Sequence, residues 1–155
     1  MRRKARYSPS SAAVVLLVAA ALFAPRHVTA QPPAPPYTVE YYYKVQWGHF
    51  DEFMELYRRN HYPILERERE MGRILSMSVA FPQYHAGESS RWDMRFTIVW
   101  KDAATANDGF DPSAIIQELY PEQEKFRAEE QRRFEILLEH IDVPVRVEDP
   151  ADWRN

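Results

Sequence analysis

The chain has no cysteine, only four glycines in 155 residues, and no uninterrupted apolar run longer than the 13 residues Ala12–Ala24. Without cysteine there can be no disulfide framework, thiolate zinc site or thiol nucleophile, so stability must come from a packed core. The few glycines form no glycine-rich phosphate loop, no G-x-S-x-G elbow and no dinucleotide-binding fingerprint. A bilayer-spanning helix needs about 20 apolar residues, more than the longest run supplies. Basic residues are in slight deficit, with 20 Lys and Arg against 23 Asp and Glu and a net charge of −3. That balance argues against a nucleic-acid partner, which would require clustered cations.

The first 30 residues carry most of the remaining organisation signal. Arg2, Arg3, Lys4 and Arg6 precede the apolar run, and Val28-Thr29-Ala30 supplies the small residues that signal peptidase reads. We expect residues 1–30 to be a signal peptide delivering the protein to the periplasm or outside the cell, with no stable membrane insertion after cleavage. The absence of a following cysteine excludes a lipoprotein anchor. Cleavage after Ala30 removes five basic residues and no acidic one, taking the net charge from −3 to about −8. Residues 31–36, QPPAPP, read as an extended proline-rich linker. About 125 residues remain, enough for one core and too few for two.

Residues 37–148 read as that one domain, with 149–155 as a tail. Tyr37 to Trp47 alternates, placing Val39, Tyr41, Tyr43, Val45 and Trp47 on one side of a strand. Phe50, Phe53, Met54, Tyr57, Ile64 and Leu65 then mark one stripe of a long helix that Gly72 ends. His61 falls on the stripe, and Pro63 predicts a kink just after it. Arg73–Phe81 predicts a second strand with Leu75, Met77, Val79 and Phe81 on its apolar face. Arg91–Lys101 predicts a third, with Trp92, Met94, Phe96, Ile98 and Trp100 inward.

After a turn-rich stretch, Asp111-Pro112 opens a short helix to Tyr120. A longer helix is expected over about 121–141, with Phe126, Phe134, Leu137, Leu138 and Ile141 inward and charged pairs such as Glu129 and Arg133 in water. Val143, Val145 and Val147 suggest a short fourth strand that Pro144 confines to an edge. The order β-α-β-β-α-β is the α+β, ferredoxin-like arrangement: a four-stranded antiparallel sheet with both helices on one face. Glu40, Lys44, Asp93 and Arg95 are expected on the uncovered face.

A strand, a long helix carrying His61-Tyr62-Pro63, a glycine-bounded second strand and an aromatic third strand together resemble the dimeric α+β barrel superfamily. That superfamily includes antibiotic-biosynthesis monooxygenase-like, stress-responsive barrel and EthD-like proteins. The resemblance spans about Tyr37 to Glu148. It implies a homodimer paired through its sheets, and a small-molecule pocket between sheet and helices. The Asn, Trp and His set of the superfamily's haem-degrading branch has no counterpart that aligns.

Two readings of His61 stand side by side. It is either a core histidine bonded to a neighbouring strand or a pocket histidine serving as acid, base or ligand anchor, the role we take as the working guide. Tyr41, Tyr43 and Tyr57 with Trp100 would form an aromatic ligand-binding wall or simply core. Tyr84 and His85 would lid the pocket or lie free in their loop. No metal site is expected, because His49, His61, His85 and His140 show neither H-x-H nor H-x-x-x-H spacing. No cofactor is expected. The two functional expectations are a binder of a small apolar or aromatic compound, with cofactor-independent catalysis as an extension, and a non-catalytic structural or interaction module of the cell envelope.

Overall fold

The structure is a computed structural model and describes residues 32–84 and 86–154. The expected signal peptide and His85 lie outside the described residues. Strand β1 (Tyr37–Val45) pairs antiparallel with β3 (Met94–Trp100) on one side and β4 (Leu137–Val145) on the other. Strand β2 (Ile74–Ala80) pairs with β3 and completes the order β2-β3-β1-β4. A single helical rod packs on this sheet in three parts: α1 (Phe50–Leu56), a wide turn over Tyr57–His61, and α2 (Tyr62–Glu70). The short helices α3 (Ala103–Ala106) and α4 (Ser113–Leu119) lead into α5 (Gln123–Glu135).

The period-two pattern of β3 decides the core. Met94, Phe96, Ile98 and Trp100 are buried on the face that also carries Val39, Tyr43 and Val45. Phe53, Met54, Tyr57 and Leu65 of the rod close over them into one cluster. Removing the fully buried Phe53 ring would cost about 3 to 5 kcal/mol. Ile64, Ile115 and Phe126 form a second, smaller cluster that joins α2, α4 and α5. Gly72 ends α2 at φ 74°, where its amide bonds the carbonyl of Arg69 and that of Arg73 bonds Glu68. A side chain at that φ would be strained.

Several expectations need correction. The last long helix stops at Glu135, and Leu137 to Val145 is strand rather than helix. Ile141 and Val143 consequently point away from the helices and remain 49% and 37% exposed. In LLEHIDVPV the apolar spacing fits a helix and a strand alike, and the open edge of β1 decides by offering a ladder of unpaired backbone groups. Arg133 is buried, not solvated, and it pairs with Glu130 at 2.7 Å instead of Glu129.

Leu75 is exposed because an irregularity between Ile74 and Ser76 shifts the pairing of β2, returning Met77 and Val79 to the helix side. Trp47 lies beyond β1 in an exposed turn, and Trp92 precedes β3 with its ring nearly perpendicular to that of Tyr42. On the uncovered face, where both were expected, Glu40 pairs with Arg95 at 3.3 Å. Asp93 instead accepts from the backbone amide of Val45, and Lys44 is buried between Glu88 and Glu139. The stretch read as turn-rich contains α3, capped by Asp102, and the tail holds a short 3-10 helix over Pro150–Arg154.

Candidate functional site

The site begins with an irregularity in the helical rod. Pro63 has no amide to offer the carbonyl of Arg59, and the ladder widens one turn before it, where the amide of Tyr62 bonds the carbonyl of Tyr57. The predicted kink is thus a π turn that contains His61. The freed carbonyl of Arg59 and the neighbouring carbonyl of Asn60 meet the hydroxyl of Tyr120 at 3.0 and 2.9 Å. Asn60, fully buried, is tied across to α5 through Glu129 at 2.8 Å. These bonds fix the turn, and the turn aims Tyr57 and His61 at the sheet.

A cavity of about 210 Å3 lies between the turn and strands β1, β3 and β4. Tyr41, Tyr43, Tyr57, His61, Trp100 and His140 line it, with Leu65 and Ile98. Tyr43 stacks on His140 with centroids 4.4 Å apart and meets Tyr57 edge-on at 5.7 Å. The rings of Tyr57 and His61 are 5.0 Å apart. His140 Nε2 lies 3.1 Å from a carboxylate oxygen of Asp142, which orients the imidazole.

Two buried donors here, Tyr57 Oη and Trp100 Nε1, reach no partner in full hydrogen-bond geometry among the described residues; the nearest acceptors are the hydroxyls of Tyr43 and Tyr41, respectively, which each engages weakly. Burial, then the cation of Arg133 and the neighbouring His140, push the His61 pKa down to about 3. No hydrogen bond among the described residues offsets those effects. His61 is therefore a neutral imidazole at ordinary pH and a poor proton acceptor. Burial also lowers the pKa of His140, against which the carboxylate of Asp142 acts to raise it. Desolvation raises Tyr43 to about 12, and raises Tyr57 further, beyond the ordinary tyrosine range. Both phenols stay protonated and serve as hydrogen-bond donors.

His61, Tyr41, Tyr43, Tyr57 and Trp100 therefore meet in one cavity. Tyr84 does not, being 87% exposed and lining a separate loop depression with Trp47 and Trp92. His140 and Asp142 were missed, because reading Leu137 to Ile141 as helix hid their shared strand face. Reading Leu137 to Val145 as a strand puts both, two apart, beside Tyr43 and Tyr41. Among the described residues no group of His, Asp and Glu is placed to hold a metal ion, and no helix is long and apolar enough to cross a membrane.

No protein-family model and no curated protein matches the chain. Among solved structures it is similar to a dimeric ferredoxin-like protein from an uncultured marine organism, at 6% identity over 74% of this chain and 90% of that one, with a TM-score of 0.50. A conserved protein from Methanosarcina mazei is similar at 16% identity over 73% of this chain and 93% of that one, with a TM-score of 0.46. A NIPSNAP family protein from Agrobacterium tumefaciens is similar at 13% identity over 75% of this chain and 96% of that one, with a TM-score of 0.44. At these identities the likeness is one of fold, and the fold is ferredoxin-like α+β, the class expected from the order of elements.

Proposed function

We propose that this chain is a homodimeric domain that binds a small, neutral molecule in the His61 cavity. The carrying observation is that Tyr57 Oη and Trp100 Nε1 are held only weakly, by the hydroxyls of Tyr43 and Tyr41, beside a neutral imidazole. More than about nine in ten buried polar groups are paired in folded proteins, so two poorly matched donors on one cavity favour a ligand that pairs them, while the third such atom, Arg95 Nε, lies on the opposite face of the sheet. The volume of about 210 Å3 limits that ligand to a few heavy atoms. A flat compound with an oxygen acceptor fits, its ring or chain against Tyr41 and Tyr43 and its oxygen toward Trp100 and Tyr57. His61 would anchor it. Any proton transfer would fall to His140, oriented by Asp142, without a cofactor.

A fragment screen by thermal shift tests this. Hits should lose their effect in Trp100→Phe and in His61→Gln, while the proteins stay folded. The competing reading, a structural or interaction module, is favoured by a volume below the roughly 300 to 1,000 Å3 usual for ligand pockets. It would prevail if no fragment shifts the wild type.

Dimerisation is supported by Ile141, Val143 and Val99 on the uncovered sheet face, beside the Glu40–Arg95 pair. The marine ferredoxin-like neighbour is itself described as dimeric. Light scattering at micromolar concentration should give twice the chain mass, and Ile141→Arg should give a monomer. Export rests on the basic, apolar and small-residue order of residues 1–30. A mature N-terminus at Gln31 in the exported fraction is the expected result.

A further inference from the structure

A second opening lies on the other side of Tyr57. It is a groove of about 500 Å3 between the helical rod and strands β2 and β3, and it shares only Tyr57 with the His61 cavity. Its volume is within the range of about 300 to 1,000 Å3 that holds organic ligands. Met54, Met77, Met94 and Phe96 form its apolar wall. Methionine side chains adapt to different apolar shapes, which suits a flexible guest. Val79 and Phe81 also line it, yet they remain 47% and 43% exposed on the edge strand and just beyond it.

The one charged side chain lining the groove is Arg58. It is exposed, and no salt bridge among the described residues engages it. The adjacent Arg59, by contrast, is held by Glu55 at 2.8 Å and Glu129 at 3.2 Å. A guanidinium without a carboxylate, set beside an apolar groove, complements a molecule with one anionic end and an apolar body.

We propose that this groove binds an amphipathic carboxylate. The apolar body lies against the methionines and Phe96, covers Val79 and Phe81, and presents its carboxylate to both arms of Arg58. The site is separate from the His61 cavity, and its occupant differs in charge and size from the neutral molecule assigned there.

The test is calorimetric titration of the full chain with decanoate, kept below its self-association concentration, and with decanol in parallel. Decanoate should bind saturably and at least about tenfold more tightly than decanol, as expected for one charge-assisted, two-pronged contact. Arg58→Gln, a change at an exposed position, should reduce decanoate to the level of decanol and leave decanol unchanged. Val79→Trp should fill the groove and weaken both. His61→Gln should alter neither. Equal binding of the two probes, an unaffected Arg58→Gln variant or absent saturation would overturn the proposal. So would loss of decanoate in His61→Gln, which would move the site to the other cavity.

Discussion

Two clusters of buried polar side chains flank β1, and they differ in whether their polar atoms are matched. At the end of the strand Arg91 is enclosed and fully engaged: its guanidinium bonds Glu88, Asp93 and the carbonyl of Val45, and its face covers the ring of Trp47 at 4.3 Å. Asp93 in turn receives the amide of Val45, and Lys44 bonds the carbonyl of Glu88 at 2.7 Å. Around His61 the opposite holds. Tyr57 and Trp100 keep donors that are poorly matched, each facing only a tyrosine hydroxyl, and His61 stays neutral because burial outweighs any stabilising partner. Equal burial with unequal pairing separates a fastening from a site, because an unmatched buried group costs free energy unless something else, such as a ligand, pairs it.

The largest expected effect is at the fastening. Arg91→Met leaves Asp93 and the Val45 carbonyl without their cation and should lower unfolding free energy by about 3 kcal/mol, read from the denaturant midpoint. A change below about 1 kcal/mol would erase the contrast.

Next is the pH response of His61. Its folded pKa is depressed, so the unfolded chain takes up the proton first; this contribution is complete above about pH 6.5 and is lost as pH falls toward 3. Between about pH 6 and 4.5 the wild type should lose about 1.4 kcal/mol per pH unit more than His61→Gln. Parallel stability curves for the two proteins would show that the imidazole is not held neutral.

A smaller loss is expected at the turn that presents the site. Tyr120→Phe removes the hydroxyl that meets the Arg59 and Asn60 carbonyls, and should cost about 1 kcal/mol. The smallest change belongs to Tyr57→Phe, which deletes a poorly matched hydroxyl and keeps the ring. Its midpoint should stay in place or rise by up to about 1 kcal/mol, whereas a loss of 2 kcal/mol or more would reveal a hidden partner.

Much of this organisation is legible in the residues. The alternation of β1 and β3 places Tyr41, Tyr43 and Trp100 on the helix-facing side, and the stripe of the rod adds Tyr57 and His61 to the same space. Pro63 marks the irregular turn. His140 and Asp142 were not legible, since Leu137 to Ile141 satisfies helical and strand periodicity equally and only pairing with β1 chooses. Leu75 and Trp47 were misplaced for a related reason: one irregular pairing in β2 and one turn after β1 each interrupt an alternation that reads as continuous.

The sequence by itself determined the order of elements, the inward faces of the two central strands and the helical break near His61. Each of these follows from local periodicity, or from a proline that lacks an amide. Tertiary structure alone decided the extent of β4 and the burial of Arg133. It also decided the meeting of His140 with Tyr43 and His61, and which buried donors are poorly matched. Those outcomes depend on partners distant in the chain, whose competition for hydrogen bonds and for space no local pattern records.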